Sequence, residues 1–96
     1  MGNVLTTNPV WVDETGSIFT HPVSIQAILW VSDDATNKDI AADDDMKILD
    51  KKGGNIICSK RAETSNDNLE ISFPKTLHTQ GIYVEELDGG VLLIYI

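Results

Sequence analysis

Chemically reactive side chains are sparse in this sequence. The histidines are His21 and His78, and the single cysteine is Cys58. A thiol paired with an imidazole can act as a nucleophile, but Cys58 follows two isoleucines in an apolar run and lies in no cysteine-enzyme signature. A buried structural thiol is the better interpretation of that pattern. Because the nucleophile elbow, the phosphate-binding loop and the dinucleotide fingerprint are also absent, we predict no catalytic residues and no enzymatic activity.

Acidic residues are concentrated in the segment 33–45. Calcium takes about six to eight oxygen ligands from a tight loop, yet this segment lacks the central glycine and the closing glutamate of an EF-hand. A looser calcium site between the loops of a β-sandwich stays open as an alternative, as does stacking of a sugar on Trp11 or Tyr95. A solvated acidic surface explains the same residues, so we predict no metal site and no cofactor. The acids of the segment are Asp33, Asp34, Asp39, Asp43, Asp44 and Asp45.

The charge balance of the chain is strongly acidic. Its 96 residues include 15 acids and 7 bases, for a formal net charge of −8. Such a chain repels phosphate backbones and anionic lipid surfaces, so we predict no nucleic-acid partner and no membrane partner. All the bases lie between residues 38 and 75. The flanking segments, 1–37 and 76–96, therefore carry only acids, which either keep the chain soluble or form an acidic face for a basic partner.

Length and cysteine content limit the architecture. Ninety-six residues make one domain, and one cysteine forms no internal disulfide. The longest apolar runs, 27–31 and 91–96, are far shorter than the about 18 residues of a membrane-spanning helix. No secretory signal is visible at the N-terminus, so we expect a soluble chain made inside a cell. We divide it into an N-terminal arm or first strand, residues 1–16, and a single β-sandwich domain, residues 17–96.

Short apolar runs separated by turn residues predict an all-β protein. No window repeats apolar residues at helical spacing over three turns, and β-branched residues crowd the runs. We predict a small antiparallel β-sandwich or jelly-roll-like barrel with about eight short strands. Residues 36–43 could form a short helix or an irregular loop across one end of the sheets, and we predict a loop. The candidate strands are residues 3–7, 10–12, 17–20, 22–32, 45–50, 54–61, 68–73, 80–87 and 90–96.

Three short motifs predict where strands turn or end. Lys51-Lys52-Gly53-Gly54 predicts a hairpin turn. Asp88-Gly89 predicts a second, tight primed turn between two apolar strands that would pair with each other. Phe73-Pro74 predicts a break, since proline removes a backbone donor from a strand.

The closing segment, residues 91–96, has apolar side chains on both faces of a predicted strand. An exposed edge strand of this kind promotes aggregation, so the strand must be central in its sheet or be covered by another subunit. Trp11 is either a core residue or an anchor by which the N-terminal arm docks on a neighbour. The predicted contact residues, on the arm and the closing strand, are Val4, Leu5, Val10, Trp11, Leu92, Ile94 and Ile96.

The order of these features resembles the small all-β virion proteins of tailed bacteriophages, especially capsid decoration or cement proteins. It is carried by the run 16–30, the hairpin 47–57, Phe73-Pro74 and the closing run 80–96. The resemblance implies a virion protein on the capsid surface, made in the host cytoplasm, that binds the shell of major capsid protein, often as a dimer or trimer. A tail, neck or fibre-base adaptor of the virion is the first alternative. A calcium- or carbohydrate-binding β-sandwich module is the second.

Overall fold

The computed structural model describes residues 3–33 and 38–96. Within these ranges the chain forms strands and no helix, and therefore no helix long and apolar enough to cross a membrane. The predicted all-β class is confirmed. The strands, in chain order, are β1 (Val10–Val12), β2 (Gly16–Phe19), β3 (Val23–Val31), β4 (Asp45–Leu49), β5 (Ile56–Arg61), β6 (Leu69–Thr79), β7 (Ile82–Leu87) and β8 (Val91–Tyr95).

The strands form two four-stranded antiparallel sheets that make a small sandwich. One sheet has the order β1-β8-β3-β6 and the other β2-β7-β4-β5. The pairs β1/β8, β2/β7, β3/β6 and β4/β5 amount to one long hairpin of the whole chain. Rolling that hairpin lets β8 pair with β3 and β7 pair with β4. This is the strand arrangement of a jelly roll.

The core lies between the sheets and follows the alternation of the strands. In β3, for example, Ile28 and Trp30 are fully buried in alternation, and Ile25, on the other side of a register shift, is fully buried as well. Each such apolar side chain contributes about 1.5–3 kcal/mol when it leaves water. The largest fully buried side chains outside β3 are Val10, Val12, Ile40, Met46, Ile48, Ile82, Val84, Leu92 and Ile94.

The closing strand β8 is central in its sheet, with β1 on one side and β3 on the other. Val91, Leu92 and Ile94 are buried within the chain, and Leu93 and Tyr95 are half-buried. The first of the two sequence-based alternatives is therefore the one the fold adopts. Burial of this apolar segment is completed by the chain's own strands and does not require a second subunit.

The connection between β7 and β8 differs from the prediction. The two strands lie in different sheets, so Asp88-Gly89 does not close a hairpin. A primed turn of the I′ type needs positive φ at both central residues, and neither Asp88 nor Gly89 has a positive φ. The positive φ of this connection is that of Gly90, at 71°. The glycines serve close backbone packing instead: a Cβ on Gly89 would collide with the carbonyl oxygen of Asp39, and one on Gly90 with the side chain of Ile40.

The predicted break at Phe73-Pro74 is also wrong. Strand β6 continues past the proline to Thr79. Because β6 is an edge strand, Pro74 can lie there without removing a hydrogen bond from a central ladder. The strand instead bulges at this point: Ala27 pairs with Ser72 and Ile25 with Leu77, so residues 73–76 lie opposite one residue of β3.

The remaining local predictions agree with the structure in part. The β4–β5 hairpin is confirmed, with Asp50 N donating to Asn55 O at 3.0 Å and Gly53 at a φ of 73°. Residues 38–44 form a loop, as predicted, while the predicted loop residues 36 and 37 lie outside the described ranges. The candidate strand 3–7 is reduced to a single bridge between Val4 and Trp11. The first strand falls at β1, inside the segment 1–16 and within the same sandwich.

Candidate functional site

The two ends of the sandwich carry different chemistry. Antiparallel register places the connections 13–15, 62–68 and 88–90 and the described connection residues 32–33 and 38–44 at one end, which we call the acidic end. The connections 20–22, 50–55 and 80–81 lie at the other end, which we call the groove end. In these three connections Asp50 is the one acid. At the acidic end the acids of the described loops and adjoining strand ends are Asp13, Glu14, Asp33, Asp39, Asp43, Asp44, Asp45, Glu63, Asp67, Glu86 and Asp88.

Most bases near the acidic end are already neutralised by acids. The Arg61 guanidinium bonds Asp45 through two nitrogens, at 2.8 and 3.0 Å, and Lys60 Nζ lies 3.5 Å from Asp67. The hydrogen bond from Arg61 lowers the pKa of the Asp45 carboxyl, and Asp45 in turn raises the pKa of Arg61. The Glu63 backbone N–H lowers the pKa of Asp67. These two carboxylates are therefore ionised and offset the charge of the two bases, and the other acids of this end leave it with an excess of acids over bases.

Carboxylates of Asp45, Glu86 and Asp88 meet at the acidic end, with one oxygen of each within 4.8 Å of the others. Two of the three are already engaged: Asp45 by Arg61, and Asp88 by the backbone N–H of Asp45 at 2.9 Å. Calcium prefers about six to eight oxygens, more than three side chains offer. Of the segment 33–45 singled out in the sequence, this cluster includes Asp45 alone, and Asp34 lies outside the described residues. The predicted absence of a metal site stays a prediction.

An apolar groove opens at the groove end between the edge strands of the two sheets. Its volume is about 500 Å³. One wall comes from the β4–β5 hairpin and β5, and the other from β6. The residues that line it are Pro22, Asp50, Asn55, Ile56, Ile57, Phe73, Leu77, His78, Thr79 and Gln80.

A bulge in β5 gives the groove its apolar wall. Leu49 pairs with Ile56 and Ile48 with Cys58, so Ile57 is the extra residue. Neighbouring residues in a regular strand point to opposite faces, but a bulge re-aims side chains, and here Ile56 and Ile57 both line the groove. The side chain of Ile56 is 58% exposed, the most exposed large hydrophobic residue of the described chain. The sequence does contain a signal for this surface, the adjacent pair Ile56-Ile57 after a glycine turn. The contact residues predicted from the sequence did not include this pair.

Three lysines flank the groove. Lys51 and Lys52 lie in the turn between the lining residues Asp50 and Asn55, and Lys75 lies in the β6 bulge between Phe73 and Leu77. In the described ranges none of these lysines forms an ion pair, in contrast to Lys47, Lys60 and Arg61. The groove end therefore combines an apolar surface with unneutralised positive charge.

Reactive side chains come together at one point that the sequence did not indicate. Ser24 and His78 are opposite each other in the β3/β6 register, and Ser24 Oγ lies 2.8 Å from His78 Nδ1. A serine nucleophile needs its histidine oriented by a third group, and no described residue hydrogen-bonds the other ring nitrogen. His21 contacts the ring of Phe19 at the same end, with 5.3 Å between ring centroids. Cys58 faces the core, where burial raises the pKa of its thiol.

The structure separates the seven predicted contact residues into two groups. Val10, Leu92 and Ile94 are at most 1% exposed and belong to the core between the sheets. These three offer no surface to a partner while the chain is folded, because strand alternation turns them inward. Val4, Trp11 and Ile96 are half-buried, and Leu5 is 38% exposed.

The N-terminal arm is docked on its own chain. Val4 and Trp11 exchange backbone hydrogen bonds of 2.8 and 2.9 Å, so the arm covers the free edge of β1. The Asn3 side chain accepts hydrogen bonds from the backbone of Asp13 and Glu14. The Asn8 side chain bonds the backbone N–H and carbonyl of Ile96, each at 3.0 Å. The described part of the arm is therefore bonded to its own chain at Asn3, Val4 and Asn8.

Comparison of the chain with models of protein families, with curated protein sequences and with solved structures gave no match.

Proposed function

We propose that this chain is a non-enzymatic structural protein of a tailed-phage virion. In this proposal it is a decoration or cement subunit that binds the outer surface of the shell of major capsid protein. The observation that carries the proposal is the contrast between the acidic end and the groove end. A cement protein must hold two neighbouring shell subunits at once, and a small sandwich with two chemically different ends has a contact surface for each.

The dimensions of the sandwich fit that task. The chain measures 33 × 26 × 24 Å, and its strands run between the two ends. Contacts made by one end with one shell subunit and by the other end with the next would link the two subunits. Binding that occurs only in the assembled shell stabilises the shell by mass action. The acidic end favours a basic surface of the shell, and its charge speeds and directs encounter more than it adds affinity.

The jelly-roll fold is compatible with this role and with other roles. Jelly rolls occur in viral capsid domains and also in lectins and cupins, and function depends on the site rather than on the fold. Since β8 is covered within the chain, the dimer or trimer implied by the phage resemblance is proposed on that resemblance alone. Light scattering of the purified chain measures it directly.

The decisive experiment is to locate and count the chain in purified virions. A decoration subunit gives density on the outer shell and roughly hundreds of copies per particle, as a closed shell with many equivalent positions requires. The tail, neck or fibre-base alternative gives about a few to a few dozen copies at one vertex. Absence of the chain from the particle, together with no binding to purified heads, contradicts both.

Charge variants test the acidic end. Asp43→Asn with Glu63→Gln removes two exposed acids that lie close together, since the Asp43 N–H bonds the carbonyl of Ala62. We expect binding to purified heads at low salt to weaken about three- to tenfold. Thr6→Lys with Thr20→Lys changes the net charge by the same amount at two exposed positions outside that end; it is the control and should leave binding unchanged. Equal loss in both variants would show that net charge, rather than the acidic end, is what the heads detect.

A further inference from the structure

The four edge strands of the sandwich are not equally protected against pairing with another chain. The edges are β1, β6, β2 and β5. The edge of β1 is covered by the arm through Val4, and β6 contains Pro74 within a bulge. Strand β2 has four residues and a register shift. Proline, bulges and short length are the usual protections of a sheet edge.

Strand β5 has no proline, and its two charged side chains, which would otherwise protect an edge, are paired with acids of the same chain: Lys60 with Asp67 and Arg61 with Asp45. It has six residues, it pairs with β4 on one side, and in the described ranges no strand pairs with its other side. Its bulge lies at its first residues, so the ladder from Cys58 to Arg61 is regular. Ile56, the most exposed large hydrophobic residue, stands at the start of this edge and lines the groove.

We propose that β5 binds an extended segment of a partner protein as an added strand, and that this segment carries apolar and acidic side chains in alternation. This proposal rests on the proposed function, because in a virion the bound segment would belong to a subunit of the capsid shell. Backbone hydrogen bonds to β5 supply affinity, and an apolar side chain enters the groove between Ile57 and Phe73. Acidic side chains meet Lys51, Lys52 and Lys75.

Charge complementarity selects the acidic character of the segment. The whole chain has a net charge of −8, which at long range repels an acidic ligand. At physiological salt, however, charges are screened beyond about 8 Å, and the acidic loops lie beyond the far end of β5, six residues or about 20 Å of strand from the groove. A ligand at the groove therefore interacts mainly with the three lysines and Asp50. Of the four, the Asp50 carboxylate already accepts a hydrogen bond from Asn55 N at 2.9 Å.

A pair of synthetic peptides tests the proposal on the full chain. The first is a blocked seven-residue peptide in which valine alternates with glutamate and threonine, and the second has lysine in place of each glutamate. We expect the acidic peptide to shift the amide resonances of residues 56–61 and of the groove-lining part of β6, and the lysine peptide to bind about tenfold more weakly. Equal binding of the two, or shifts centred on another surface, would overturn the proposal.

Backbone methylation of the peptide separates strand addition from simple apolar contact. In an added strand, alternate N–H groups point to β5 and the others point to solvent. Methylation of one alternate set should therefore abolish binding, while methylation of the other set leaves it. If both methylated peptides bind like the parent, the peptide is not a strand and the proposal fails.

Variants of the protein complete the test. Ile56→Glu should remove binding of the acidic peptide, and Leu5→Glu, which alters the other exposed large hydrophobic residue, should not. A concentration-dependent dimer that disappears in Ile56→Glu would place a second copy on β5 and overturn the peptide assignment. If Ile56→Glu still decorates heads, the strand proposal is wrong while the decoration function stands. If the peptide binds but the unaltered chain does not bind heads, the function is wrong while the site stands.

Discussion

Strands β8 and β5 lead to opposite conclusions about what an apolar segment needs. β8 is the more apolar of the two, yet both of its edges are paired, because the jelly roll inserts the last strand between β1 and β3. β5 looks in the sequence like an ordinary hairpin strand, yet it leaves Ile56 58% exposed at a sheet edge. Hydrophobicity shows that a strand must be covered; its place in the sheet decides whether the chain covers it or a partner does.

The largest expected effect comes from a matched pair of truncations in these strands. Ile94→Ala creates a cavity between the sheets, where the side chain is fully buried, and should lower the free energy of unfolding by about 3–4 kcal/mol. Ile56→Ala should change it by at most about 0.5 kcal/mol, as exposed substitutions do. Urea denaturation of both variants measures the difference. Similar losses in the two would mean that Ile56 belongs to the core and that the groove is not an open surface.

The second prediction concerns the connection between β7 and β8, residues 88–90, which passes from one sheet to the other. Trp30 is fully buried, and its Nε1 donates to the carbonyl of Gly89 at 2.9 Å. Trp30→Phe keeps an aromatic side chain but leaves that carbonyl without its donor and opens some space. We expect a loss of about 2 kcal/mol in the free energy of unfolding. A loss below about 0.5 kcal/mol would show that the packing of Gly89 and Gly90, and not this bond, fixes the crossing.

Strands β5 and β8 also show how much of the fold could be predicted from the sequence. Alternation and turn chemistry are local, so the all-β class, the Lys51–Gly54 hairpin and most strand positions could be predicted. Strand partners are set by contacts distant in sequence. Asp88-Gly89 therefore suggested a hairpin, although the same flexible residues allow a close crossing to the other sheet.

The candidate site was harder to predict for the same reason. The groove depends on a β5 bulge and on β6 lying across from it, and neither has a signature in the local residues. Val10, Leu92 and Ile94 are apolar enough to be contact residues, but the topology places them in the core. The unequal charge of the chain was visible in the sequence. Its concentration at one end required the register of the strands.

The third prediction tests how the end of β8 is held. The Asn8 side chain bonds both backbone groups of Ile96, one residue beyond the strand. Asn8→Ala removes both bonds at an exposed site, where the freed groups can bind water. We therefore expect a loss of about 1 kcal/mol and faster hydrogen exchange of the Ile96 amide. Thr6→Ala, at a nearby exposed position of the arm, is the control. Unchanged exchange at Ile96 would contradict the claim that the arm fixes the end of β8.

The smallest effect concerns the far end of β5 and depends on pH. Arg61 closes β5 onto β4 through Asp45, and its hydrogen bonds lower the pKa of that carboxyl in the folded chain. Because the folded pKa lies below the unfolded value of about 3.9, this pair contributes stability above that pH and loses it as the pH falls through the folded pKa. Asp45→Asn should therefore melt lower than the unaltered chain at pH 7, and the gap should shrink at pH 3. Glu63→Gln removes an exposed acid that forms no ion pair in the described ranges, so its melting temperature should follow that of the unaltered chain at both pH values. A gap for Asp45→Asn that stays constant with pH would mean that β5 is held to β4 by its backbone ladder alone.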